Sequence, residues 1–111
     1  MAVLLDRIAR DPTLPGTERV TGHRIENALK LYCHGKVTRA QMLNFFNIPA
    51  AMEADFDQFK TRFDSFPGTT AGRCDKIEFL QDVEACIIAL QLGDITKAQF
   101  NTFTGLTLTT A

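Results

Sequence analysis

Two stretches of this 111-residue chain share one pattern: Gly35-Lys-Val-Thr-Arg-Ala-Gln-Met42 and Gly93-Asp-Ile-Thr-Lys-Ala-Gln-Phe100. The second stretch begins 58 residues after the first, and the residues on either side align without a gap, so that Phe45 aligns with Phe103. Self-similarity at a fixed offset marks a repeated structural unit. We therefore predict a duplicated helical hairpin that closes on itself.

Each copy contains the residues of a corner between two helices. A threonine three residues before a glutamine has the spacing of a capping box, in which the two residues exchange hydrogen bonds at the start of a helix. A glycine shortly before the threonine accepts the left-handed conformation that ends the preceding helix. The structural capping residues predicted in this way are Gly35, Thr38 and Gln41 in the first copy and Gly93, Thr96 and Gln99 in the second.

Helical spacing of apolar residues supports an all-α fold. In the first copy, apolar residues recur at the i, i+3, i+4 spacing from Ile25 to Cys33. The helix expected to begin near Asp75 is apolar almost all round after its first turns, which is typical of a central element. Between the copies, phenylalanines and a methionine at helical spacing predict a further helix with its apolar side in the core: Met52, Phe56, Phe59 and Phe63.

These patterns define the expected organisation of the chain as a single compact domain of five or six helices. Loop residues such as Pro67 and Gly68 mark the boundary between the halves. We predict the following segments: an N-terminal arm at 1–16, a first hairpin at 17–48, a connecting helix at 50–66, a loop at 67–73, a second hairpin at 74–105 and a flexible C-terminal tail at 106–111.

Composition indicates a soluble globular protein. Hydrophobic residues make up 45% of the chain and charged residues 23%, and the formal net charge is −1. Residues 1–48 hold seven basic and four acidic side chains, a net of +3, and residues 49–111 hold five and nine, a net of −4. Halves of opposite charge favour head-to-tail association or a one-sided encounter with a charged partner.

The sequence predicts no membrane association and an intracellular, reducing location. The longest purely apolar run, Ala85 to Leu90, is too short to span a membrane, and Met1 to Asp6 is too short for a secretory signal. Three cysteines without paired spacing do not form a disulfide framework.

We find no pattern typical of an enzyme, a cofactor site or a metal site. Cys33 and His34 are adjacent and point about 100° apart on a helix, so they cannot both face one reaction centre. Cys74 is the one candidate for a reactive thiol, because it lies near a predicted helix N-terminus. Metal-ligand spacing is missing, and the acidic residues such as Glu78 and Asp82 have the pattern of a solvated face.

DNA binding is the alternative function. A helix, a glycine turn and a second helix occur in the basic half, where Lys36, Arg39 and Asn44 are candidate nucleic-acid contacts. Two features weaken this hypothesis: Gln41 is already a capping residue, and the same corner recurs in the acidic half, where affinity for phosphate would be poor.

The repeated phrase of glycine, an aliphatic residue, threonine and Ala-Gln resembles a pattern in small helical proteins encoded by tailed bacteriophages. The resemblance covers Ile25–Ile48 and Val83–Leu106, about half of the chain. It implies an assembly or accessory protein, present in the virion if the chain is phage-encoded, and it carries no catalytic residues. We therefore expect non-enzymatic protein–protein interaction or self-association.

Overall fold

The computed structural model describes residues 4–9 and 22–110, and every regular element within these residues is helical. The predicted all-α class is confirmed for this part of the chain. Residues 10–21, which contain the predicted boundary between the N-terminal arm and the first hairpin, lie outside the described residues. In chain order the helices are α1 (Leu4–Ala9), α2 (Gly22–Cys33), α3 (Arg39–Phe45), α4 (Glu53–Asp64), α5 (Thr70–Gln91) and α6 (Lys97–Thr104), with a short 3-10 turn (Ala50–Met52) before α4.

Helix α5 is the central element, as its apolar composition predicts, because it packs against α1, α2, α4 and α6. The core beneath it contains the phenylalanine stripe of α4, in which Phe56 and Phe59 have no exposed surface. Phe56 stacks on Tyr32 of α2 with 5.6 Å between ring centres. Offset aromatic pairs of this kind add stability beyond the area that they bury.

The two corners have the same backbone conformation. Gly35 and Gly93 both have positive φ angles, 74° and 80°. A second pair of residues with positive φ, Asn47 at 55° and Gly105 at 74°, follows α3 and α6 at the same offset of 58. Equivalent backbone hydrogen bonds close each corner: Gly35 to Tyr32 and Lys36 to Leu31 in the first, and Gly93 to Leu90 and Asp94 to Ala89 in the second.

Both capping boxes are present. The Thr38 hydroxyl accepts the Gln41 N–H at 3.1 Å, and the Gln41 side-chain oxygen accepts the Thr38 N–H at 2.8 Å. Thr96 and Gln99 make the same two bonds at the same distances. Each box satisfies two backbone donors that the first turn of a helix leaves without partners.

Helix α5 begins earlier than predicted. The expected loop at 67–73 and the expected start near Asp75 are wrong, because Thr69 caps the helix and its hydroxyl accepts the Gly72 N–H at 3.1 Å. The chain folds back onto this first turn so closely that a Cβ atom on Gly72 would lie 1.8 Å from the Pro67 carbonyl oxygen. The connecting helix is also shorter than the predicted 50–66, since α4 ends at Asp64.

Residues 106–110 pack against the helices, which differs from the flexible tail predicted for 106–111. Leu106 and Leu108 are buried. The Asn101 side-chain amide bonds both the N–H and the carbonyl of Leu108, at 3.1 and 3.2 Å. Gln58 of α4 bonds Thr107 in the same way, at 2.9 and 3.2 Å. Residue 111 lies outside the described residues.

The described part of the predicted N-terminal arm is helix α1, which is packed into the core. Leu4, Leu5 and Ile8 have no exposed surface, and the helix lies against α5. The Leu4 N–H also donates to the Thr110 carbonyl at 3.0 Å. The two ends of the described chain therefore meet at one place.

Candidate functional site

The first candidate surface is a groove of about 290 Å³ between α2, α4 and α5, which we call the basic groove. Apolar side chains form its floor and charged side chains form its rim. Three cations and one carboxylate give the rim a formal net charge of +2. The floor consists of Phe63, Ile77 and Leu80, and the rim of Glu26, Lys30, His34, Arg73 and Lys76.

The cations of the basic groove are available to a ligand. In the part of the chain that the structure describes, Lys30, Arg73 and Lys76 form no ion pair. The Lys76 ammonium lies 5.1 Å from the centre of the Phe63 ring, and the His34 ring meets the same ring edge-on at 5.3 Å. The groove thus offers positive charge beside an aromatic and aliphatic floor, an arrangement that fits a ligand with both acidic and apolar groups.

The second candidate surface is a groove of about 250 Å³ between α4, α5 and α6, which we call the acidic groove. Three carboxylates and one guanidinium give it a net charge of −2. The Arg62 guanidinium lies over the Phe66 ring at 4.6 Å, and Phe103 is 57% exposed at the edge of the groove. Its charged residues are Arg62, Asp75, Glu78 and Asp82, and its aromatic residues are Phe66, Phe79 and Phe103.

The two grooves lie on opposite faces of α5. Positions 73, 76, 77 and 80 belong to the basic groove, and positions 75, 78, 79 and 82 belong to the acidic groove. Each set has the i, i+3, i+4, i+7 spacing of one helix face. The second set is the first moved by two residues, which is a rotation of about 200° at about 100° per residue. One helix therefore separates surfaces of opposite charge.

A third groove lies at the first corner and is almost entirely apolar. It has a volume of about 290 Å³ and includes Leu31, which is 47% exposed. Its lining contains no ionisable side chain: Ala28, Leu31, Val37, Gln41, Met42 and Phe45. Nothing in its composition selects one class of ligand.

Of the candidate nucleic-acid contacts, Arg39 is engaged inside the molecule. Its guanidinium makes two hydrogen bonds to Asp57, at 2.8 and 3.1 Å, and one to Glu53 at 2.9 Å. These bonds hold the start of α3 to α4 and leave Arg39 poorly placed to contact a base. Lys36 and Asn44 are exposed.

Cys33 and His34 do not form a nucleophilic centre. Burial raises the pKa of Cys33 to about 12, and burial also raises the pKa of Cys86. His34 is exposed, whereas the neighbouring Cys33 is buried. Cys74 is exposed, and because α5 starts at Thr70 this cysteine lies beyond the first turn of the helix.

Within residues 4–9 and 22–110, no three histidine, cysteine or acidic side chains converge in a way that could hold a metal ion. None of the helices described for this chain combines the length and the hydropathy that crossing a membrane requires.

A buried carboxylate fixes the C-terminal residues. Asp55 of α4 is 5% exposed and accepts the N–H groups of Thr109 and Thr110, at 2.9 and 2.6 Å, and the Thr110 hydroxyl at 2.5 Å. Burial acts to raise the pKa of Asp55, but the hydrogen bonds from Thr110 and Thr109 outweigh it and leave the pKa below its ordinary value. The charged form is thus the one that the fold prefers.

Replacement of Asp55 by asparagine is expected to lower the free energy of unfolding by about 1.5–3 kcal/mol at pH 7, since it weakens charge-assisted hydrogen bonds. Because the folded pKa is depressed, this contribution is present above the unfolded pKa of about 3.9 and is lost as the pH falls through the folded value. Urea denaturation at pH 7 and at pH 2–3 should show the difference between wild type and variant shrinking in acid. The exposed Asp94→Asn variant serves as the control; equal stabilities of wild type and Asp55→Asn at pH 7 would contradict the role assigned to Asp55.

The two grooves are not among the features predicted from the sequence. Glu78 and Asp82 are predicted as a solvated face, and Arg73 and Lys76 lie on the other side of the same helix. The signal was present in the sequence: two interleaved helical spacings of opposite charge, displaced by two residues. Comparison with protein-family models, curated proteins and solved structures finds no significant match.

Proposed function

We propose that this protein is a non-enzymatic protein–protein interaction module that takes part in an assembly. The observation that most supports this function is the pair of grooves of opposite charge on the two faces of α5, each beside aromatic side chains. Protein interfaces combine an apolar centre with a charged rim, and complementary charge determines which partner binds.

The resemblance of the repeated phrase to small phage-encoded helical proteins supports a more specific role, that of a virion structural or accessory component acting inside the cell or in the particle. We further infer that the two corners arose by duplication of one hairpin. The shared offset of the capping boxes, of the glycines and of the residue pair Asn47 and Gly105 supports that origin.

Affinity capture with variants of the basic groove tests the proposal. Three proteins are immobilised in parallel: wild type, a groove variant and a control. The groove variant, Arg73→Glu/Lys76→Glu, reverses the charge of the rim. The control, Lys36→Glu/Lys97→Glu, makes the same change in net charge at exposed lysines outside the groove. Wild type and control should retain the same assembly proteins from the native source, and the groove variant should lose them. Identical capture by all three proteins would contradict the proposal.

The DNA-binding alternative is tested with the same proteins by gel shift on duplex DNA at low salt. We expect no shift, because Arg39 is paired with Asp57 and Glu53. A salt-sensitive shift that Lys36→Ala abolishes would favour the alternative. Arg39→Ala is a poor probe, since it would also remove the ion pairs between the start of α3 and α4.

A further inference from the structure

We propose that the ligand of the basic groove is the acidic groove of a second copy of this chain, so that molecules associate head to tail. This inference rests on the proposed function and names the partner. Both surfaces belong to one molecule, and each matches the other in charge and in apolar content.

Charge complementarity is the first support. The basic groove carries a net of +2 and the acidic groove a net of −2, and α5 contributes charged residues to both. When two copies meet by these faces, Arg73 and Lys76 of one lie opposite Glu78 and Asp82 of the other. Two like grooves would instead bring equal charges together, which opposes association.

Apolar complementarity is the second support. Phe103 is 57% exposed on the acidic side, and the basic groove has an apolar floor formed by Phe63, Ile77 and Leu80. The Phe103 ring of one molecule would pack on this floor in the next molecule and become buried there, as the central anchor residues of interfaces are. Lys76, which already lies over the Phe63 ring, would contact the incoming ring as well.

The geometry makes this contact heterologous. Because the two grooves lie about 200° apart around α5, binding through one leaves the other free for a further molecule. Such contacts form rings where the rotation closes and open filaments where it does not. Each contact uses one small groove from each molecule, so it belongs to the weak, salt-sensitive class of interfaces.

Sedimentation velocity over roughly 10 μM to 1 mM tests the proposal, a range suited to weak interfaces. Wild type should show an average mass that rises with concentration above the 12.4 kDa monomer and falls when salt is added. Arg73→Glu/Lys76→Glu should weaken association by about 100-fold or more, because both of its grooves are then acidic. Glu78→Gln/Phe103→Ala should weaken it by about tenfold or more through loss of charge and of the aromatic ring.

The decisive sample is an equimolar mixture of the two variants. The first keeps an intact acidic groove and the second an intact basic groove, so the mixture should form a complex of two chains that grows no further. Leu92→Ala is the matched control, since Leu92 is 71% exposed and lines neither groove. It should associate like wild type.

Three results would overturn the proposal. They are a wild type that remains a monomer throughout the concentration range, an acidic-groove variant that associates as strongly as wild type, and a mixture of the two variants that stays monomeric. If wild type is a monomer but its basic groove still captures a different protein, the head-to-tail inference fails and the proposed function stands. If neither association nor capture depends on the groove, both fail.

Discussion

Replacing Phe56 by alanine is expected to lower the free energy of unfolding by about 3–5 kcal/mol, the usual cost of removing a fully buried phenylalanine. Phe56 has no exposed surface and lies between Tyr32 and Phe59, with ring centres 5.6 and 6.1 Å away. It therefore joins α2 to the stripe of α4, and its loss leaves a cavity that neither neighbour fills. Urea denaturation followed by circular dichroism measures the change.

The matched control for Phe56→Ala is Phe103→Ala. It removes the same atoms from a side chain that is 57% exposed, so the free energy of unfolding should change far less. A loss of less than about 1 kcal/mol in Phe56→Ala would show that the core does not depend on this ring as the structure indicates.

Replacing Gly72 by alanine is expected to destabilise the fold by about 2–3 kcal/mol, within the range measured for overpacked sites. Helix propensity alone would favour alanine by about 1 kcal/mol inside a helix. The steric effect is larger, because the new Cβ would lie 1.8 Å from the Pro67 carbonyl oxygen and 2.7 Å from its carbon, and both are backbone atoms. The turn before α5 must then move away from the helix.

Gly68→Ala tests whether the effect is specific to this close approach. A Cβ on Gly68 would have no atom within 4 Å, so this variant should keep wild-type stability to within about 0.5 kcal/mol. Thermal or urea denaturation of both variants gives the comparison. If Gly72→Ala is as stable as wild type or more stable, the helix propensity of alanine outweighs the steric contact with the Pro67 carbonyl.

The corners could be predicted because the interactions that form them are local. A capping box and a helix-ending glycine involve residues three to five apart, so Thr38 and Gln41 show the corner in the sequence itself. The all-α class follows from the same patterns together with the helical spacing of the core residues.

Two features of the fold, the packed C-terminal residues and the early start of α5, differ from the sequence predictions. The sequence predicts a flexible tail at 106–111, yet Asp55 and Gln58 hold residues 107, 109 and 110 through hydrogen bonds that join residues 49 to 55 positions apart. The predicted start of α5 near Asp75 is too late, although aspartate is a residue type favoured at the N-cap of a helix. The true cap, Thr69, stands in a stretch that resembles a loop.

The two grooves could not be predicted from the sequence for a different reason. A charged residue on a helix is usually solvated, and nothing local separates Glu78 from any other exposed acid. Its significance depends on the aromatic residues that α4 and α6 bring beside it, and on the cations across the helix. Only the packing of α5 among its neighbours turns two charge patterns into two grooves.

The hydrogen bond between the Leu4 N–H and the Thr110 carbonyl, 3.0 Å long, places the two ends of the described chain side by side. A linker that begins at Thr110 and a linker that ends at Leu4 would therefore meet the domain at neighbouring points. The fold is therefore suited to insertion into a surface loop of a host protein, because a guest with adjacent ends does not force the two ends of that loop apart. The same proximity allows a short peptide to bridge the ends in a circular permutant.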